Sequence, residues 1–160
     1  MKKTADPEVI IRPASSTDSS QVAELVSSIL KKEFPADQSA YAADDLEKLT
    51  ETYSPPASCF LVAVDQSRVV GTCGIKADGS DAAILRRLFV APTHRQQGIG
   101  LSLLKEALAF CRSRKFREVV IRTSTHMEKA IHLCETMGFK EDGRWTMGNI
   151  TLIRFHMRLS

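Results

Sequence analysis

The spacing of apolar residues along the chain changes several times, and each change marks an element. Val9-Ile10-Ile11 is a short β-branched run closed by Pro13, which predicts a strand. Asp18-x-x-Gln21 resembles a capping box, and behind it Val22, Leu25, Val26, Ile29 and Leu30 recur at helical spacing. A weaker helical pattern of Leu46, Leu49 and Tyr53 follows a polar stretch and stops at Pro55-Pro56. The runs Cys59–Val64 and Val69–Ile75, joined by Asp65-Gln66-Ser67, predict an antiparallel hairpin. Asp78-Gly79-Ser80 then turns the chain into a third run, Ala82–Val90, so the middle of the sequence reads as a meander.

Past Pro92 and a glycine-bearing loop, Leu101, Leu104, Leu108 and Cys111 return to helical spacing, with Leu103 and Ala107 widening the apolar face. That helix ends in Arg112, Arg114 and Lys115. Val119-Val120-Ile121 is apolar on both faces, as a central parallel strand is. Thr125-x-x-Glu128 fits a second capping box, ahead of a helix carrying Ala130, Ile131, Cys134 and Met137 and closed by Gly138. A short strand from Phe139, a turn around Gly143 and Gly148-Asn149, and a last strand through Ile150, Leu152, Phe155 and Met157 complete the order.

With 160 residues, 43% hydrophobic and 26% charged, the sequence predicts one domain over 1–160 with a core spanning about 9–159. Twenty-two Lys and Arg against 19 Asp and Glu give +3, too mild an excess to mark a nucleic-acid binder. No run approaches the roughly 20 apolar residues a spanning helix needs. Met1-Lys2-Lys3 imitates the start of a secretory signal, but Thr4-Ala5-Asp6-Pro7 stands where its apolar region would begin. Cys59, Cys73, Cys111 and Cys134 form no C-x-x-C pair and sit among apolar residues, which predicts reduced thiols and a cytoplasmic location. The histidines offer no H-E-x-x-H, and His126 and His132 are six apart, on different helical faces, so no bound metal is expected.

The segment Leu88-Phe89-Val90-Ala91-Pro92-Thr93-His94-Arg95-Gln96-Gln97-Gly98-Ile99-Gly100 carries the most chemistry. It joins a strand to a helix through a glycine-bearing loop beside a cation. Such a junction aims unpaired N–H groups and a helix dipole at one point, which suits a phosphate or pyrophosphate. Gly98 and Gly100 let the backbone approach the ligand. Walker A fails because Leu101-Ser102 follows Gly100, and G-x-G-x-x-G fails at Leu103.

Arg95-Gln96-Gln97-Gly98-Ile99-Gly100 resembles the Arg/Gln-x-x-Gly-x-Gly/Ala signature of the GNAT family of N-acetyltransferases. Ala130-Ile131-His132-Leu133-Cys134-Glu135-Thr136-Met137-Gly138-Phe139 is similar to the family's A-I-x-L-Y-E-x-x-G-F helix and strand, at the customary distance. The resemblance runs from Val9 to Leu159. It implies an α/β (α+β) fold: a mixed, mostly antiparallel central sheet, splayed between strands 4 and 5 and flanked by about four helices. It implies acetyl-CoA as cosubstrate and an amine as acceptor. Backbone groups of Leu88, Phe89 and Val90 would bind the pantetheine arm, residues Arg95, Gln96, Gln97, Gly98, Ile99 and Gly100 the pyrophosphate, and Met127, Ala130 and Cys134 would face the arm from the far side.

The sequence departs from the family pattern where Met127 replaces an amide-bearing Asn, where Cys134 replaces a Tyr often proposed as acid, and where the Ala82–Leu88 strand lacks a Glu. Transfer needs a neutral amine and an oxyanion donor, which the resemblance places at the Leu88 N–H. A thiol pKa near 8.5 makes CoA thiolate a fair leaving group, so Cys134 is only a weak candidate acid. Asp81, Glu33 and His126 are the candidate bases, none singled out by spacing. Arg86 or Arg87 faces the acceptor side, and Trp145 is a candidate wall. A non-catalytic acyl-CoA-binding sensor or interaction domain, and a covalent route through Cys134 or Cys73, are the alternatives. The last strand, Ile150–Leu159, can pair within or between chains, which leaves a homodimer open.

Overall fold

The computed structural model describes residues 9–38 and 44–159. The Met1–Lys3 reading, and positions 39–43 of the segment between Glu33 and Tyr53, lie outside the described residues. One seven-stranded sheet runs through the molecule: β1 (Val9–Pro13), β2 (Cys59–Asp65), β3 (Arg68–Asp78), β4 (Ala82–Val90), β5 (Glu118–Ser124), β6 (Lys140–Met147) and β7 (Ile150–Arg158). The spatial order is β1-β2-β3-β4-β5-β7-β6, antiparallel throughout except for the parallel pair β4 and β5. β7 is therefore an interior strand, held between β5 and β6, and the free edges are β1 and β6. Trp145 and Met147 are exposed on β6, and Trp145 does not line the cavity at the centre of the sheet.

Alternation along the strands divides the core in two. Leu61, Ala63, Val70, Cys73, Ile75 and Leu85 point to the face covered by α4 (Ile99–Ser113), whose Leu103, Leu104, Ala107, Leu108 and Cys111 are buried there. Phe60, Val62 and Val69 point to the opposite face, where α1 (Ser19–Glu33), α2 (Asp44–Glu47) and α3 (Leu49–Thr52) pack through Val22, Val26, Leu30, Leu46 and Leu49. The single weak helix expected around Leu46–Tyr53 is thus two short ones, yet all three of its apolar residues are buried. A fifth helix, α5 (Glu128–Thr136), follows β5 and sends Cys134 into the core shared with α4.

Neither expected capping box forms. The Asp18 carboxylate is taken by Arg12 (2.8 and 3.1 Å) and by the Ser15 N–H (2.8 Å). Gln21 reaches the β2–β3 turn instead, accepting from the Val69 N–H at 2.9 Å and donating to the Ser67 carbonyl at 3.2 Å. At α5 the Ser124 hydroxyl, not Thr125, accepts the free N–H of His126 at 3.0 Å. Gly143 lies within β6 at a register shift, and the hairpin turn falls at Gly148-Asn149. All four cysteines are free thiols. Among the described residues no helix is long and apolar enough to cross a membrane, and no group of three His, Cys, Asp or Glu is placed to hold a metal ion.

Candidate active site

The sheet opens at its centre. β4 pairs with β5 only from Ala82 to Leu85, against Glu118 to Ile121, whereas β5 stays paired with β7 as far as Ser124. From Arg86 onward the β5-facing edge of β4 has no strand beside it among the described residues. The cause is a bulge: on β3, Thr72 faces Phe89 and Gly74 faces Arg86, so the single residue Cys73 spans both Arg87 and Leu88. Arg87 takes a left-handed backbone, φ +58°, which a side chain tolerates only when its surroundings hold it.

Two buried contacts do so. The Thr72 hydroxyl donates to the Arg87 carbonyl at 2.6 Å, and the Arg87 guanidinium grips Asp45 of α2 at 2.6 and 3.1 Å. Asp45 also accepts the Tyr53 hydroxyl at 2.6 Å. Burial pushes the Asp45 pKa up, but the hydrogen bonds from Arg87 and Tyr53 outweigh it and leave the carboxyl below its ordinary range. Arg86 is the exposed member of the pair.

A cavity of about 540 Å³ occupies the opening. Its volume lies within the range of small-ligand sites. Leu88, Phe89 and Val90 line it from β4, Met127, Ala130 and Leu133 from the α5 side, Arg95, Gln96, Gly98, Ile99 and Gly100 from the loop, and Ile29, Glu33 and Phe34 from the end of α1. The loop curls through left-handed residues, Gln96 at φ +64° and Gly98 at φ +81°. The first helical bond of α4 runs from the Ser102 N–H to the Gly98 carbonyl at 3.0 Å, so the Ile99, Gly100 and Leu101 N–H groups precede any intrahelical acceptor. Nothing lies within 4 Å of where a Gly98 side chain would begin. Bare amides at the positive end of a 15-residue helix suit a pyrophosphate.

Arg95 is partly committed within the protein. It donates to both Glu33 carboxylate oxygens at 2.7 and 2.9 Å and to the Val90 carbonyl at 3.1 Å. Three of the five N–H donors of a guanidinium are thereby used, which fixes the loop against the last turn of α1 and leaves two for an anion.

Of the expected catalytic residues, Glu33 and His126 reach the cavity, and Glu33 does so as the partner of Arg95. Asp81 does not: it is exposed at the far end of β4, where its carbonyl accepts the Arg117 and Glu118 N–H groups. Cys134 does not either. It is fully buried and lines no part of the cavity, and burial pushes its thiol up to about 12. Its side chain belongs to the main core cluster, so neither acid catalysis nor an acyl-enzyme finds an accessible thiol there. Cys73 is likewise fully buried, with its pKa driven up by burial. Gln97 stands outside the cavity lining.

One residue has no counterpart in the sequence reading. Asp37, in the turn after α1, is fully buried, accepts the Ser124 hydroxyl at 3.0 Å and lies 3.1 Å from His126 Nδ1 through both carboxylate oxygens. It is 89 positions from His126, and only the fold brings them together.

Residues 23–139 match the model of the acetyltransferase (GNAT) family. The chain belongs to that family. Human N-acetyltransferase 8 is 37% identical over 108 residues, 62% of this chain and 47% of the relative. Rat N-acetyltransferase family 8 member 3 is 32% identical over 117 residues, 69% of this chain and 51% of the relative. The chain thus spans about half the length of the curated relatives it matches. A GNAT-family acetyltransferase from Staphylococcus aureus superimposes with a TM-score of 0.84 at 21% identity, covering 95% of this chain and 99% of the other. The Salmonella typhimurium protein yncA, solved with its cofactor acetyl-CoA, gives 0.79 at 16% identity, covering 96% and 95%. The mixed sheet with its parallel β4–β5 pair and five helices is the GNAT architecture.

Proposed function

We propose that this GNAT domain transfers an acetyl group from acetyl-CoA to a primary amine of a small molecule or peptide, by direct attack in a ternary complex. One observation carries the reading: the unpaired β4 edge, the Arg95–Gly100 loop and the α5 residues Ala130 and Leu133 converge on a single cavity.

Acetyl-CoA supplies an activated thioester. The Arg95–Gly100 loop would bind its diphosphate through backbone N–H groups and the two remaining Arg95 donors. Leu88 and Val90 would bind the pantetheine amides through their main chain, as strand pairing does. Met127 offers no amide, so apolar contact from Met127, Ala130 and Leu133 closes the other side. The Leu88 N–H would meet the developing oxyanion. The thiolate leaves without a protein acid, consistent with Cys134 being withdrawn from the cavity.

The test couples calorimetry with CoA to thiol release from acetyl-CoA in the presence of polyamines, amino acids, aminoglycosides and peptides. Binding with amine-dependent release supports the reading. Binding and thermal stabilisation with no release from any amine overturns the enzymatic half and leaves an acyl-CoA-binding sensor.

A further inference from the structure

We propose that His126 is the proton acceptor for the incoming amine and that buried Asp37 is the residue that positions it. The inference rests on the transfer reading above and adds the base that reading lacks.

The His126 side chain is 48% exposed and lines the cavity, while the Asp37 carboxylate behind it is fully buried. A carboxylate only accepts hydrogen bonds, so the contacts at 3.1 Å place the ring proton on Nδ1. In the neutral ring the lone pair then belongs to Nε2, which makes no hydrogen bond among the described residues. Ser124 ties the arrangement together, donating its hydroxyl to Asp37 and accepting the His126 N–H, both at 3.0 Å. Backbone and ring of His126 are thus anchored to one buried charge, as a base oriented by a third group requires.

The rest of the cavity offers less. Glu33 is held by Arg95, and His94 Nε2 is held by Asp65 at 2.7 Å. Glu128 and Lys129, from the first turn of α5, also line the cavity but are exposed and have no buried partner among the described residues.

A protonated amine gives one proton to His126 Nε2, which passes it to water. The nitrogen lone pair forms the N–C bond at the thioester carbonyl carbon, and the π pair moves to oxygen. Collapse breaks the C–S bond, sulfur leaves with the electron pair, and the second amine proton ends on the thiolate. The products are amide, CoA thiol and one released proton.

The experiment compares wild type, His126→Gln, Asp37→Asn, the double variant and Glu128→Gln, using spermidine, lysine methyl ester and a free-amino-terminal tetrapeptide, with CoA calorimetry on each. At pH 7, His126→Gln is expected to lower kcat at least tenfold, with CoA affinity and the KM for acetyl-CoA within twofold of wild type. For the tetrapeptide the deficit shrinks by pH 9.5, because an α-amino group with a pKa near 8 is then already neutral. Asp37→Asn should cost kcat in the same direction, add nothing once His126 is gone, and change the ring tautomer seen by nitrogen-15 NMR. Wild-type kcat in His126→Gln at pH 7, a loss in Glu128→Gln that His126→Gln lacks, or an undiminished Asp37→Asn effect in the double variant overturns the assignment. A wild-type protein that binds CoA yet releases none with any of the three amines overturns the transfer reading itself, and the base with it.

Discussion

Replacing Gly98 by valine separates backbone strain from ligand contact, because the fold supplies its own control. Gly98 and Gly79 have nearly the same left-handed conformation, φ +81° and +74°, and at both nothing lies within 4 Å of a new Cβ. At either site the new Cβ meets no neighbour, so the left-handed strain, at least about 1–2 kcal/mol and shared by the two variants, is the main cost. For a domain of this size each kcal/mol lowers Tm by roughly 2–4 °C, so both variants should melt about 2–8 °C early. They part at the cavity, which Gly98 lines and Gly79, in the β3–β4 turn, does not. Valine at 98 sets an isopropyl group where, on the proposed reading, diphosphate oxygens would meet the backbone amides. CoA affinity should fall at least tenfold, about 1.4 kcal/mol, in Gly98→Val and stay within twofold in Gly79→Val. Equal Kd values in the two variants by calorimetry refute the assignment of the loop as the diphosphate site.

Three other outcomes follow from buried groups. Thr72→Val removes the hydrogen bond to the Arg87 carbonyl and should cost about 0.5–1.5 kcal/mol in urea denaturation, with weaker CoA binding because the bulge loses that tie. Asp45→Ala leaves a buried guanidinium without its carboxylate and should cost about 3–5 kcal/mol. Because the Asp45 carboxyl is depressed in the fold, its contribution is complete above the unfolded value near pH 4 and is lost as pH falls through the folded value, so an Asp45 variant should show a flatter acid limb in Tm against pH. In alkali the sign reverses: burial pushes the Cys111 and Cys134 thiols up to about 12, whereas unfolded thiols ionise near 8.5. The folded state then binds more protons, stability falls as pH rises between those values, and Cys111→Ala together with Cys134→Ala should flatten that decline.

Legibility in the sequence tracked the range of the interaction. Strand and helix order was readable because apolar periodicity is local, and the Arg95–Gly100 loop because its chemistry fits in six consecutive residues. Capping was misread at Asp18 and Thr125 since the competing partners, Arg12 in one case and the Ser124 hydroxyl in the other, depend on how the chain folds back. The inward direction of Cys134 follows from the seating of α5 beside β5 and the main core, which helical spacing alone does not fix. Asp37 carried no signal at all. A lone Asp in a polar turn looks like turn chemistry until the end of β5 arrives beside it.

The bulge ties the two faces of the molecule to one another. A sheet that ends β4–β5 pairing after Leu85 forgoes several ladder bonds and must hold Arg87 in an unfavourable backbone. The offsetting contacts come from the face opposite α4, where α2 supplies Asp45 and Tyr53 completes its hydrogen bonds. Asp45 and Tyr53, both between α1 and β2, are thereby tied to the bulge through Arg87. An extended ligand laid along Leu88–Val90 would restore the missing edge, so occupancy and sheet stability are coupled in sign: what fills the gap also relieves the strand that makes it.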